Sequence, residues 1–246
     1  MDFSLFIPHM VDIWQQYWTV FLFQGLKNTL LLTCISVALG TLFGTVVAMG
    51  KMSKFAPLRF LVSVYIEVLR GTPILLQLYV FYFVLPQVLP FLKLSPFMWV
   101  SIALCVNSSA YVSEVIRSGI QAVDKGQMEA ARSLGMSERQ AMTKIILPQA
   151  VRNILPALGN EFIMMLKETS LASTFFLGDL MTSYSIVKGV TYLTLEPMTI
   201  VAIIYLCMTF PLSKIVELFE KKMASPNSYK KSFTKRKRKL MNGGKF

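Results

Sequence analysis

Several long apolar stretches, separated by short polar ones, constrain the fold of this chain more than any other feature. A helix needs about 20 mostly apolar residues to cross the hydrocarbon core of a bilayer. Five stretches supply them, at 26–50, 57–86, 96–118, 148–187 and 197–218. Charged residues make up only 15% of the 246 residues, against about 25% in soluble domains. The sequence therefore predicts an all-α integral membrane protein with five transmembrane helices, and not a soluble enzyme.

An aromatic, amphipathic segment precedes the first span. Residues 8–23 carry Trp14, Tyr17 and Trp18 among polar side chains, and such aromatic residues favour the boundary between membrane and water. The sequence predicts an N-terminal interfacial segment over 1–25 that lies on the membrane. An N-terminal extension of the first span is an equal alternative. No small-residue cleavage site follows this span, so we expect it to be retained.

Positive charge is concentrated at the end of the chain. Residues 221–246 hold ten Lys or Arg and no acidic residue, whereas the rest of the chain has fifteen basic and thirteen acidic residues. A basic tail beside a transmembrane helix is typical of a cytoplasmic end near anionic membrane lipid, and we expect no nucleic-acid partner. The other basic clusters follow the first and third spans. The positive-inside rule then predicts a transmembrane domain over 26–220 with the N-terminus outside and the C-terminus in the cytoplasm.

Residues that bind metals or form disulfides are scarce. Cys34, Cys105 and Cys207 lie far apart, and His9 is the only histidine, so the spacing fits neither a metal site nor a disulfide framework. The chain also lacks the Walker A glycine pattern that cradles nucleotide phosphates. We therefore expect no catalytic residue, no metal site and no ATP hydrolysis by this chain itself.

Polar residues break the second stretch near its middle. Glu67 is followed by the run Arg70-Gly71-Thr72-Pro73. Charges at such a depth normally face protein or a water-filled cavity, and Pro73 leaves one backbone carbonyl without its helical partner. A plain kink with a Glu67–Arg70 pair that neutralises itself is the alternative to a place in a transport pathway.

The third span carries a polar face. Asn107, Ser108, Tyr111 and Glu114 are spaced so that they share one side of a helix. A polar face within an apolar helix lines either a cavity or a contact between helices. Glu114 favours the cavity most strongly, because an ionised carboxylate needs a partner or water.

The fourth stretch is interrupted by Lys167-Glu168-Thr169-Ser170, with a second apolar piece at 171–181. Two half-helices that meet at a polar break are typical of sites that hold solutes at mid-membrane. An ion pair between neighbouring side chains at a bend is the alternative. Together the three breaks give these candidate substrate-binding residues: Arg70, Asn107, Ser108, Tyr111, Glu114, Lys167, Glu168 and Thr169.

The longest polar interruption, residues 124–148, predicts two short helices. Asp124 can cap the first by accepting the backbone N–H of Gln127, and Gly135 supplies a left-handed end. The segment is rich in Lys and Arg, which indicates the cytoplasmic side.

The second helix of this interruption begins at Ser137. Gln140 lies three residues further on, so the two side chains can form a capping box. Pro148 cannot donate a backbone hydrogen bond, and we expect it to mark the boundary with the next apolar stretch.

The spacing in this interruption resembles the EAA loop of ABC importer permeases. That pattern is Glu-Ala-Ala, three residues, Gly, nine residues, Ile, one residue and Leu-Pro, and the chain carries it as Glu129-Ala130-Ala131, Gly135, Ile145 and Leu147-Pro148. In the family this loop, 119–147 here, contains the coupling helix that docks on the ATPase subunit. The resemblance assigns coupling and docking to Gly126, Glu129, Ala130, Ala131, Arg132, Leu134 and Gly135. The runs at 70–73 and 167–170 are similar to runs in the polar amino-acid branch of the family.

The resemblance implies a permease subunit of an ATP-driven importer in the plasma membrane of a prokaryote, forming the translocation pathway for a polar amino acid. It implies as partners two ATP-binding cassette subunits, a second permease chain that is identical or paralogous, and an extracytoplasmic solute-binding protein. This chain would bind no cofactor, because ATP and Mg lie on the ATPase subunits.

Two other classes compete with this interpretation. A secondary transporter or channel would use carboxylates such as Glu67, Glu114 and Glu168 for ion coupling, but it has no use for an EAA loop. A membrane anchor has no need of charges within its spans. The solute itself stays open: a basic amino acid is favoured if Glu114 and Glu168 both face the cavity, and a neutral one such as glutamine if Arg70 and Lys167 neutralise them.

Overall fold

The computed structural model describes residues 3–223, and these are mainly helical. Its α-helices are α1 (Phe6–Thr19), α2 (Lys27–Lys51), α3 (Ala56–Gly71), α4 (Ile74–Tyr79), α5 (Leu85–Val88), α6 (Pro96–Gln121), α7 (Lys125–Ser133), α8 (Glu138–Ala141), α9 (Leu147–Glu168), α10 (Leu180–Thr191) and α11 (Leu195–Met223). Wide π-helical turns lie at Val20–Leu26, Val80–Val84 and Met142–Ile146, and tight 3-10 turns at Phe3–Leu5 and Thr169–Phe175. No strand occurs within residues 3–223, so the all-α prediction is confirmed there. Of the predicted tail at 221–246, all but the first three residues lie outside the described part.

Three helical runs in the described part are long and apolar enough to cross a membrane: Phe6–Lys51, Pro96–Gln121 and Leu195–Met223. They contain the first, third and fifth predicted spans. The second predicted span is a pair of helices, Ala56–Gly71 and Ile74–Val88, whose axes differ by 105°. If this bent pair counts as one span, the described residues hold up to four. The predicted fourth span at 148–187 is not among them, because α9 is rich in polar residues and the helix breaks after it.

The N-terminal segment continues directly into the first span. Residues Phe6–Lys51 form one helical run of 46 residues, and its first part packs on the end of the chain: Ile13 and Phe21 are buried against residues of α10 and α11. Such a run is about 69 Å long, more than the roughly 30 Å of the hydrocarbon core. The predicted N-terminal segment and the first predicted span are thus parts of one continuous helical run.

Small residues allow α2 to approach α6 closely. Gly40, Gly44 and Ala48 recur every four residues and are all buried. A Cβ atom at Gly40 would lie 2.7 Å from the side chain of Ser108, and one at Gly44 would lie 2.9 Å from the backbone oxygen of Ser109. Side chains at these positions would therefore push the two helices apart, as expected for a small-residue contact between membrane helices.

Pro148 lies in the first turn of α9, at the boundary that the sequence predicted, but the chain stays helical across that boundary. The helical run continues from Glu138 to Glu168 through the π-helical turn Met142–Ile146. The N–H of Leu147 bonds to the carbonyl of Met142, five residues back. This wider turn leaves room for the ring of Pro148, which would otherwise crowd the carbonyl one regular turn before it.

The second half-helix of the fourth stretch begins later than the predicted 171–181. After α9 the chain forms the 3-10 turn Thr169–Phe175, and α10 starts only at Leu180. The carboxylate of Asp179 caps α10 by accepting the N–H of Met181 at 3.0 Å. The connection to the next helix is short, because α10 extends to Thr191 and α11 begins at Leu195.

Candidate functional site

Three of the predicted site residues meet in what we call the arginine–glutamate cluster, formed by Arg70, Tyr111, Glu114 and Arg117. Arg117 holds the Glu114 carboxylate at 2.7 Å, and Arg70 lies 3.8 Å from the same oxygen. The Arg70 guanidinium also lies 5.5 Å from the centre of the Tyr111 ring. The alternative Glu67–Arg70 pair does not form: Glu67 is exposed and makes no ion pair within residues 3–223. Glu114 is therefore neutralised by arginines of its own chain.

The other two residues of the α6 face belong to a second group, which we call the buried polar cluster: Gln77, Asn107, Ser108 and Glu161. All four side chains are buried. The amide nitrogen of Asn107 donates to the Gln77 side-chain oxygen at 2.9 Å, and the Ser108 hydroxyl lies 3.4 Å from the Glu161 carboxylate. The cluster joins α4, α6 and α9, so it lies where three elements meet.

The break between α3 and α4 is what positions Gln77. Thr72 and Pro73 adopt extended backbone angles, which end one helix and begin the next. The Gln77 amide nitrogen donates to the freed carbonyl of Leu69 at 2.8 Å and approaches the carbonyl of Thr72 at 3.2 Å. The run that the sequence singled out therefore builds a bend whose open carbonyls are satisfied by a side chain beyond it.

Sequence reasoning missed Glu161, although a signal for it exists. Glu161 lies in the apolar part of α9, seven residues before Glu168, so the two carboxylates share one side of the helix. Glu161 is 5% exposed. One carboxylate oxygen of Glu168 is buried and accepts no hydrogen bond from residues 3–223. Neither carboxylate forms an ion pair in the described part of the chain, in contrast to Glu114.

The remaining residues of the predicted break have different environments. The Thr169 hydroxyl is buried and donates to the carbonyl of Leu166 at 2.8 Å, which is a local contact within the helix end. Lys167 is exposed. The break thus presents Lys167 outward while the Glu168 side chain is half-buried.

The predicted coupling loop forms the helix pair α7 and α8. Asp124 caps α7, although its carboxylate accepts the N–H of Gly126 at 2.8 Å and not that of Gln127, which bonds to the Asp124 backbone oxygen. The capping box of Ser137 and Gln140 is present with both hydrogen bonds. Gly135 has a φ angle of 83°, the left-handed conformation predicted for the turn.

Most of the predicted docking residues are exposed: Gly126, Glu129, Ala130, Arg132, Leu134 and Gly135. Ala131 is the exception at 4% exposure and packs within the chain. Arg132 donates to the backbone oxygen of Met136 at 2.9 Å and so braces the turn at Gly135. Leu134 is 84% exposed, so an apolar side chain stands on a polar surface next to a well-capped helix.

The described residues combine helices apolar enough to cross a membrane, polar clusters between helices and a capped helix pair, an arrangement that fits a membrane transporter. A family model described as the inner membrane component of binding-protein-dependent transport systems matches residues 36–225. The chain therefore belongs to this family of ABC transporter permeases, as its EAA spacing predicted. It is a transport permease and not an enzyme.

Curated relatives agree with this assignment. The chain is 40% identical to the arginine transport system permease protein ArtQ of Bacillus subtilis (strain 168), over 92% of this chain and 98% of that protein. It is 41% identical to a putative glutamine transport system permease protein GlnP of Rickettsia bellii (strain RML369-C), over 83% and 93% of the two chains.

Solved structures give the same fold. A crystal structure of an amino acid ABC transporter with histidines matches with a TM-score of 0.80 and 47% identity, over 84% of this chain and 95% of that one. The inward-facing MetNI methionine ABC transporter matches with a TM-score of 0.67 at 17% identity, over 83% and 97% of the two chains. The second likeness concerns the fold alone.

Proposed function

We propose that this chain is one of two permease subunits of an ATP-driven importer and forms the pathway for a polar amino acid. A second permease chain, two ATP-binding cassette subunits and an extracytoplasmic solute-binding protein complete the assembly. ATP and Mg are bound by the ATPase subunits, and this chain binds no cofactor. The family assignment and the names of the amino-acid relatives support the proposal.

The chain crosses the membrane five times, with the N-terminus outside and the C-terminus in the cytoplasm. Three apolar helical runs and the bent pair Ala56–Gly71 and Ile74–Val88 account for up to four crossings. The fifth is α9, whose polar side chains are tolerated because they face other helices or water. The concentration of Lys and Arg in the 119–147 loop and at 221–246 supports this orientation.

The helix α7 is the coupling helix that docks on an ATPase subunit. Its exposed residues and the exposed Leu134 support this role. An ATPase can drive transport only if its two states bind the two permease conformations with different affinity. A rigid, capped helix transmits such a difference to α6 and α9, to which the loop is joined on either side.

The solute lies between the two polar clusters, and a basic amino acid is the favoured solute. The observation that carries this choice is the uneven pairing of carboxylates: two arginines already hold Glu114, whereas Glu161 and Glu168 make no ion pair within residues 3–223. A buried carboxylate that stays ionised needs a compensating partner, and the ammonium or guanidinium group of a solute supplies one. Arg70 or Lys167 meets the carboxylate of the solute.

The test compares Glu161→Gln and Glu168→Gln with Glu114→Gln in the reconstituted transporter. A hydrogen bond to a charged group contributes about 1.5–3 kcal/mol. Loss of one raises the half-saturation concentration for arginine uptake by about 10- to 100-fold. Uptake of glutamine should change less, because glutamine has no cationic side chain. If Glu161→Gln and Glu168→Gln keep the wild-type affinity and the wild-type preference between arginine and glutamine, these carboxylates are structural and the site lies elsewhere.

A further inference from the structure

Exposed polar side chains form a straight row along α9. Asn153, Asn160 and Lys167 are all exposed and follow one another at intervals of seven residues. Seven residues turn an α-helix almost twice, so the three side chains lie nearly in line, about 10 Å apart. We call them the polar row. It begins beside the polar break at the end of α9 and runs about 21 Å towards the start of that helix.

The polar row lies in a groove between α6 and α11. On one side of it, Glu161 of α9 reaches Ser108 of α6. On the other side, Gly159 packs against Val216 of α11, where an added Cβ would lie 2.6 Å from the valine side chain. Asn160 lies between these two contacts, and the amide nitrogen of Asn153 donates to the carbonyl of Gly119 on α6 at 3.3 Å.

The groove widens into a cavity at the end near the coupling loop. The cavity measures about 610 Å³, and both Asn153 and Asn160 line it. Arg152 adds a positive charge to its wall, and Glu220 of α11 and Asp124, the cap of α7, add negative ones. A space of this size and mixed charge suits a small zwitterion and water better than a lipid chain.

Contact with lipid would be energetically unfavourable for the polar row. The Asn160 amide makes no hydrogen bond within residues 3–223, and a polar group without a partner is disfavoured in hydrocarbon. The opposite side of the same helix is different: Val151 and Leu155 are exposed and apolar, and they lie about half a turn away from the row. α9 thus has one exposed side that suits lipid and another that suits water.

We propose that the polar row is the wall of the path by which the solute leaves towards the cytoplasm, with the cavity as its inner opening. Lys167 at one end and Arg152 at the other attract the carboxylate of a zwitterionic amino acid, and the amides of Asn160 and Asn153 replace water around it in between. The inference rests on the proposed function for the nature of the solute and for the side on which it is released.

The test uses single cysteines in the complete transporter, reconstituted in liposomes with both faces accessible. Cys34, Cys105 and Cys207 are first replaced by alanine, since Cys34 and Cys207 are exposed. Asn160→Cys and Asn153→Cys are then compared with Val151→Cys and Leu155→Cys for reaction with a negatively charged, membrane-impermeant methanethiosulfonate. The thiolate that reacts forms in water and not in lipid, so the two row positions should react at least about tenfold faster. Modification of Asn160→Cys should also block amino-acid uptake while basal ATP hydrolysis persists.

The proposed path is wrong if Asn160→Cys reacts no faster than Leu155→Cys and Asn153→Cys no faster than Val151→Cys. The polar row would then lie against lipid or another chain. Asn153→Cys gives an independent reading if Asn160→Cys does not fold. Uptake by the unmodified cysteine variants separates this outcome from a failure of the proposed function. If the variants take up amino acid but the cysteines of the row do not react, only the proposed exit path is contradicted. If the cysteine-free transporter takes up no amino acid, the proposed function itself is contradicted.

Discussion

Gln77 joins the two arms of the bent helix pair through its side-chain amide. Its nitrogen donates to the Leu69 carbonyl at 2.8 Å and to the Thr72 hydroxyl at 2.9 Å, and its oxygen accepts from Asn107 at 2.9 Å. Replacement by leucine keeps the volume but removes all of these bonds. We expect Gln77→Leu to destabilise the bend more than any exposed glutamine substitution on the same helix pair.

The size of the effect follows from these contacts. A hydrogen bond within a membrane protein contributes about 0.6 kcal/mol on average, so three of them contribute about 2 kcal/mol. The Asn107 amide then stays buried without an acceptor, which costs at least about 1 kcal/mol more. The sum of about 3 kcal/mol lowers the unfolding midpoint of a chain of this size by about 6–12 °C.

The measurement is the midpoint of thermal unfolding of the purified permease in detergent. Gln87→Leu is the matched control, because within residues 3–223 the Gln87 side chain makes a single exposed bond, to the carbonyl of Phe83. Loss of that bond costs about 0.5 kcal/mol or less. In an Asn107→Leu background the cost of Gln77→Leu should fall by about 1.6 kcal/mol, because both the bond between the two side chains and the unpaired amide are gone. If Gln77→Leu shifts the midpoint no more than Gln87→Leu does, the amide does not hold the bend together.

Three further predictions concern the coupling loop, the orientation and the α2–α6 contact. Gly135→Val forces a branched side chain into a left-handed turn at a cost of about 1–3 kcal/mol. Solute-stimulated ATP hydrolysis should fall while the amount of permease in the membrane stays normal. Unchanged stimulation would contradict a coupling role. A cysteine replacing Lys93 should react with an impermeant reagent in intact cells and one replacing Gly126 should not, and the reverse pattern would invert the orientation. Gly44→Ala places a Cβ 2.9 Å from α6 and should lower the unfolding free energy by about 1–3 kcal/mol. Gly71→Ala is the control, because its Cβ meets nothing within 4 Å and should leave the unfolding free energy unchanged. Equal effects of the two substitutions would contradict close packing of α2 on α6.

Features that depend on local chemistry were predictable from the sequence. The capping box at Ser137 and the left-handed Gly135 each depend on residues a few positions apart. In each case the physical cause lies within one or two turns of helix, so a single sequence contains it.

Features that depend on distant contacts were not predictable in the same way. The turn before α10 is held by Asn28 of α2, which donates to the carbonyls of Leu177 and Gly178 at 3.1 and 3.2 Å. The continuation of the helix through Pro148 depends on a wide turn that no residue pattern announced. Gln77 was missed because its partner Asn107 lies 30 residues away.

The pairing of charges explains why the solute site should lie on the α9 side of the cluster formed around Glu114. Two arginines converge on that single carboxylate, so the arginine–glutamate cluster has an excess of positive charge and offers nothing to a solute cation. The buried polar cluster has the opposite imbalance, since Glu161 faces a serine and no basic residue of the described chain. An amino acid carries both signs, so it is held best where its carboxylate meets the first cluster and its cationic group the second. Removal of the Glu161 carboxylate should therefore change which amino acids are carried. Removal of the Glu114 carboxylate leaves Arg70 and Arg117 without their negative partner, so it should first lower the stability of the permease.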